Sequence, residues 1–192
     1  MLALAIYMIL AVLFYMIAGQ QLRVRADSTD SVSPSVSVGE ILSDMRLEQQ
    51  FTVQSDRFTS FSVLCGTFGR QNSGTLLLEL YEQAGPDEKT LIEDFSVDLS
   101  GLQDNSWYTV QLTRPLENAA GKTMLLEVSA EDSTLGNAVT LYYGDSVSTG
   151  RVEITSEGWT PLLQNGQPLE GTLCLRTTGE TDLWFGRYYW YF

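Results

Sequence analysis

Histidine is absent from the 192-residue chain. That absence removes His-based general acid and base catalysis, Ser-His and Cys-His nucleophile pairs, and the commonest zinc ligand. Lysine is nearly absent as well, with Lys89 and Lys122 alone, and 24 acidic residues against 11 Lys and Arg leave a net charge of −13. A phosphate backbone would be repelled by such a surface, which excludes nucleic acid as a partner. Cysteine occurs twice, at Cys65 and Cys174. A bridge between them is open to a domain outside the cytoplasm, but strand parity argues against it: Cys65 shares a phase with Phe61 and Val63, whereas Cys174 is out of phase with Leu173 and Leu175. Long apolar runs are confined to one place, the chain start.

That run, Met1 to Ala18, is unbroken. As a helix rising about 1.5 Å per residue it is about 27 Å long, close to the ~30 Å hydrocarbon core of a bilayer. A secretory signal is the rival reading. No charged n-region precedes the run, and Met16 stands where a cleavage site wants a small residue, so a retained anchor over residues 1–19 is favoured. Arg23 and Arg25 follow the run and by the positive-inside rule vote for a cytoplasmic domain, although Asp27 and Asp30 come directly after them.

Residues 20–46 read as a flexible Ser-rich tether, with five Ser and one Pro between Asp27 and Val38 and a short helical turn at Ile41, Leu42 and Met45. From Leu47 the hydrophobic period is two. Strands are expected at 47–53, 58–68, 75–82, 90–97, 106–112, 122–130, 137–143, 151–156 and 172–177, separated by turns such as Asn72-Ser73-Gly74, Ala84-Gly85-Pro86-Asp87, Ala120-Gly121 and Asn165-Gly166. Eight or nine short strands without helical patterns between them imply an all-β fold over residues 47–178, an antiparallel jelly-roll-like β-sandwich preceded by a transmembrane helix. Residues 179–192 form an aromatic, membrane-proximal tail, with seven aromatics from Trp184 to Phe192 around Gly186 and Arg187. Such density suits a membrane-interface belt, and a final packed strand is the plainer alternative.

If the strands alternate in direction, the turns at 70–74, 98–105 and 131–137 fall at one end of the sandwich, bringing together Arg70, Asn72, Asp104, Asn105 and Asn137 as candidate ligand-binding residues. Arg70 is the expected partner of Asp104, and the aromatic tail is expected at the opposite pole. Turn capping by Asn and Asp explains the same residues without a ligand. A structural calcium ion is a weak reading, since no EF-hand-like spacing occurs. Paired carboxylates for glycoside hydrolysis are not singled out by any apolar setting that would raise one pKa, so the chain reads as non-catalytic. Trp107, Tyr108, Tyr142, Tyr143 and Trp159 are of a type that stacks on sugar rings, with Trp107 expected in the core.

The succession Gln50-Phe51-Thr52, Gly66 to Gly74 leading into Leu76 to Leu80, Asp104 to Trp107, Gly121-Lys122-Thr123, Gly136 to Tyr142 and Gly171 to Arg176 resembles the extracytoplasmic jelly-roll domains of bacterial polytopic membrane proteins related to surface-polysaccharide glycosyltransferases. The resemblance implies a carbohydrate-binding-module-like sandwich outside the cytoplasm, without the transferase portion and hence without its catalysis. The expected function is a non-catalytic membrane-anchored accessory domain contacting cell-surface glycan. The alternative is a structural spacer or assembly module beside another membrane protein.

Overall fold

A computed structural model of the chain describes residues 2–85, 88–144 and 159–183, without the side chains of 16–23. The apolar run forms α1 (Leu2–Arg23), and its side chains from Leu2 to Phe14 are exposed on every side. Among the described residues no helix is long and apolar enough to cross a membrane. The expected transmembrane helix therefore reduces here to an exposed apolar helix.

The expected tether is a correction. Where α1 ends, β1 (Val24–Asp30) begins, and it pairs antiparallel along its whole length with a late strand, Leu175–Asp182, from Val24 opposite Asp182 to Asp30 opposite Arg176. Ser31 is buried beyond it, its Oγ donating to Leu173 O at 2.6 Å and accepting from Leu175 N at 2.9 Å. After β2 (Val36–Ser37) the expected helical turn is a single turn, closed by Met45 N on Leu42 O at 3.0 Å.

The remaining elements are strands β3 (Arg46–Thr52), β4 (Arg57–Gly66), β5 (Thr75–Gly85) and β6 (Glu88–Asp98), the short 3-10 turn Leu99–Gly101, then β7 (Ser106–Glu117), β8 (Thr123–Ser129), β9 (Thr140–Gly144), β10 (Leu163–Gln164), β11 (Gln167–Pro168), β12 (Thr172–Leu173) and β13 (Leu175–Asp182). One sheet has the order β1-β13-β4-β9-β12, with β2 also on β9 and β7 on the other side of β4; the second has the order β11-β10-β3-β8-β5-β6. All pairings are antiparallel, and the two sheets bury Leu47, Phe51, Phe61, Leu76, Leu78, Met124, Leu126, Leu141 and Leu175 between them. The all-β sandwich expectation holds at that level. The strand expected at 151–156 lies outside the described residues, as does the tail from Trp184, while Gly179 to Asp182 belong to β13 instead of the tail.

Alternation explains which residues face inward. In β3, Leu47, Gln49 and Phe51 are buried while Glu48, Gln50 and Thr52 are half-buried on the outer face. In β7 the inward phase is Tyr108, Val110 and Leu112, so Trp107 is not in the core as expected; it lies on the outer face, opposite Leu64, beneath the Arg176 guanidinium at 4.6 Å. The cysteines obey the same rule. Leu175 stands opposite Val63, which places Cys174 and Cys65 on opposite faces of neighbouring strands, both free and both buried. Burial pushes each thiol up to about 12, well away from the reactive thiolate.

Buried hydroxyls that bridge two backbone groups cost about 1–3 kcal/mol when removed. Ser31→Ala is expected to destabilise the chain by that amount in urea unfolding, whereas a solvated tether would register nothing. Native protein is also expected to leave Cys65 and Cys174 unlabelled by maleimide until denaturant is added.

Candidate functional site

Two regions gather polar side chains, and the sequence pointed to only one of them. The chain crosses between the sheets at one pole four times, through 38–45, 67–74, 99–105 and 130–139. Arg70, Asn72, Asp104, Asn105 and Asn137 all stand there, as expected. Ser73 N and Oγ meet Asn137 Oδ1 at 2.8 and 3.4 Å, Asn137 Nδ2 returns to Ser73 O at 3.0 Å, and Asn72 Nδ2 donates to Thr67 O at 3.3 Å. Asp104 accepts from Thr67 N, and Asn105, at φ +51°, donates to Asp104 at 3.2 Å while accepting from the Tyr142 hydroxyl.

The expected Arg70–Asp104 pair does not form. Arg70 is held by Glu40, from the segment read as tether, and also donates to Ala138 O at 3.3 Å with its guanidinium 4.8 Å from the Phe68 ring. Glu40 further accepts from Gly136 N at 3.1 Å. Most of these groups therefore serve the loops' own backbone. The Arg70 guanidinium first, and the Gly136 N–H second, hold the Glu40 carboxyl below its usual range; the Thr67 N–H does the same chiefly for Asp104, and the Ser100 N–H for Asp98.

At the opposite pole Val24 stands against Asp182, and Glu180 against Arg57 at the start of β4. The ten residues of β4 at ~3.3 Å each separate the two poles by roughly 30 Å. The start of β1 and the end of β13 are thus side by side and far from the loop cluster, while the aromatic tail expected at this pole lies outside the described residues.

A groove of about 630 Å³ lies elsewhere, on the outer face of the second sheet. Its floor is the outward phase of β3 and β8, namely Arg46, Glu48, Gln50, Leu125 and Glu127; Gln83 and Lys89 border one side, and Thr160, Pro161, Leu163 and Pro168 the other. The hairpin β10–β11 that makes the second wall turns on Asn165 and Gly166, both at positive φ (+51° and +75°) as a two-residue type I′ turn requires. Asn165 Oδ1 accepts from Arg46 N at 2.7 Å and so ties the wall to the floor.

Glu127 is the singular residue of this floor, a carboxylate with 4% of its side chain exposed in the otherwise apolar run Met124 to Val128. Lys89 covers one oxygen and Arg46 Nη2 approaches the other at 3.0 Å, while Arg46 also reaches Glu79 at 3.5 Å. Tyr81 donates to Glu79 at 3.0 Å and lies 4.3 Å under the Lys89 ammonium. Burial first, and the Glu79 carboxylate second, push the Tyr81 phenol up to about 12, so it remains a donor.

None of these groove residues was among the candidate ligand-binding residues read from sequence. The one signal available was Glu127 itself, a lone charge inside an apolar strand. The rest depends on cross-strand register, which single-strand periodicity does not carry. Among the described residues no three His, Cys, Asp or Glu side chains are placed to hold a metal ion. No protein-family model and no curated protein matches the chain.

The depressed carboxyls at the loop pole link its stability to pH. Their charged form is the one the fold stabilises, so that contribution is complete above ~pH 5, beyond the unfolded range, and fades as pH falls through the lowered native values. Asp104→Asn keeps an acceptor for Thr67 N but has no proton to bind. It is expected to flatten part of the decline in urea midpoint between about pH 5 and pH 2, read by tryptophan fluorescence; an unchanged profile would remove Asp104 from the account.

Proposed function

We propose that the chain is a non-catalytic accessory domain, held at a membrane by α1 with its sandwich outside the cytoplasm, that contacts cell-surface glycan through the groove on the second sheet. The observation that carries the reading is the groove itself. It combines acceptors (Glu48, Glu127), donors (Arg46, Lys89) and amides that do both (Gln50, Gln83) with an apolar surface of Leu125, Pro161, Leu163 and Pro168. A sugar ring presents the matching pair of features, hydroxyls at its edge and C–H groups on its faces, and an open cleft on a rigid sheet admits a chain of such rings. The loop cluster named from sequence supports this function less, because its side chains are occupied by loop backbone.

Membrane attachment is supported by the uncovered apolar side chains of α1, which no other part of the described chain buries. The neighbouring exits at Val24 and Asp182 support a return of the aromatic tail to the same surface. The jelly-roll form, and the likeness to extracytoplasmic domains of polysaccharide-assembly proteins, belong to this proposal. A second reading, a spacer or assembly module of a membrane complex, is favoured by the self-satisfied loop pole.

Two measurements separate these readings. The full chain in detergent is expected to bind envelope polysaccharide in isothermal titration, and Gln50→Ala is expected to weaken that binding about tenfold, or ~1.4 kcal/mol; no heat with any polysaccharide would leave the spacer reading. Gln103→Cys, on an exposed loop of the far pole, is expected to take an impermeant maleimide on intact cells while the two buried native thiols stay silent. Labelling only after lysis would place the domain on the other side.

A further inference from the structure

The groove lining itself holds two carboxylates and two cations, but the carboxylate row that crosses its floor continues beyond it and carries more negative charge than those cations neutralise. Register sets Glu48 of β3 opposite Glu127 of β8, Glu127 opposite Glu79 of β5, and Glu79 opposite Asp94 of β6. Four carboxylates thus form one row across four adjacent strands, an arrangement that destabilises a sheet unless counter-charges intervene. Arg46 and Lys89 supply two, and both are drawn to Glu127, with Arg46 shared by Glu79. The side chain of Glu48, half-buried in the groove beside Leu163, has no ion pair or hydrogen bond among the described residues.

Glu127 adds a second and independent mark. Although Arg46 Nη2 lies 3.0 Å from Glu127 Oε2, the approach falls outside hydrogen-bond geometry, and that buried oxygen accepts no hydrogen bond. A buried acceptor left in this state costs free energy that a donor entering the groove would recover. Of the two charges the row leaves uncompensated, Asp94 is exposed on the edge strand, whereas Glu48 lies in the groove next to the strand whose Glu127 lacks a hydrogen-bond donor.

We infer that the groove is selective for glycan bearing a free, protonated amine, with Glu48 as counter-ion to the ammonium and Glu127 Oε2 as acceptor for a donor of the same or the adjacent ring. The inference rests on the glycan reading above and narrows it to a substrate class, de-N-acetylated hexosamine. N-acetylation would remove the charge that Glu48 lacks and set a neutral amide against a desolvated carboxylate. Uronic acid and phosphate-bearing polymers would meet the acidic row and be rejected.

The test uses the full chain in detergent with four oligosaccharides of equal length: glucosamine, N-acetylglucosamine, glucose and galacturonate. Glucosamine is expected to bind at least tenfold more tightly than the N-acetylated and neutral oligomers, with galacturonate silent. Glu48→Gln, a near-isosteric change, is expected to abolish that preference by lowering glucosamine binding to the level of the N-acetylglucosamine oligomer on the same variant. Glu117→Gln removes an equal charge from β7 on the other sheet and is expected to change nothing. Equal loss in both variants would expose a general attraction of a polycation to an acidic chain and overturn the inference. Equal affinity for glucosamine, N-acetylglucosamine and glucose oligomers would overturn the amine selectivity and leave the glycan reading standing. Silence with all four would end both.

Discussion

The side chain amide of Gln49 is the contact on which the arrangement of both sheets turns. It sits in the inward phase of β3 between Leu47 and Phe51 and is fully buried. Its Oε1 accepts from Leu173 N at 2.8 Å, across in β12 of the other sheet, and its Nε2 donates to Thr160 O at 2.9 Å and Gln50 O at 2.8 Å. An amide transferred to a dry interior costs several kcal/mol without partners, so this one is tolerated only because all its partners are in place. Specificity is the return. Apolar contacts accept small slides between the sheets, whereas the directed bond to Leu173 does not, and the bond to Thr160 fixes the groove wall against β3.

The neighbouring ring contacts act with it. Phe51 stacks on Trp159 at 5.5 Å and meets Phe58 edge to face at 6.1 Å, closing the core beneath the same wall. At the far edge of the sandwich, Glu93 of β6 accepts from Thr113 N of β7 at 3.0 Å and from its hydroxyl, so the carboxylate caps an edge strand of the opposite sheet. The two sheets are thus joined at one margin by an amide and at the other by a carboxylate, with hydrocarbon between.

What could be read from the sequence follows from what a single strand encodes. Period-two alternation located most of the strands and, by counting them, gathered Arg70 and Asn137 at one pole. It failed for β1, whose composition, Val-Arg-Ala-Asp-Ser-Thr-Asp, carries no apolar face because the strand is held by backbone pairing to β13 and by the Asp30–Arg176 ion pair at 2.6 Å. It failed for Arg70 because Glu40 arrives from a segment whose path depends on β2 joining one sheet and β3 the other. Trp107 was assigned to the wrong face, although Val110 and Leu112 already share the phase of Tyr108. The groove was invisible for a stronger reason: its floor is a row of residues from separate strands, and their adjacency exists only once register is set.

The pairing of Val24 with Asp182 also decides how the sandwich would respond to mechanical load. Antiparallel partners whose outer ends leave at the same point are pulled apart like a zipper, one ladder bond after another, whereas strands drawn from opposite ends resist in shear with every bond loaded together. Tension applied between α1 and whatever follows Asp182 would therefore peel β1 from β13 starting at Val24. A module built this way is poorly suited to be a link in a tensioned chain. It is better suited to stand as a side branch, since Val24 and Asp182 sit together and a load shared by both would turn the sandwich without stretching it.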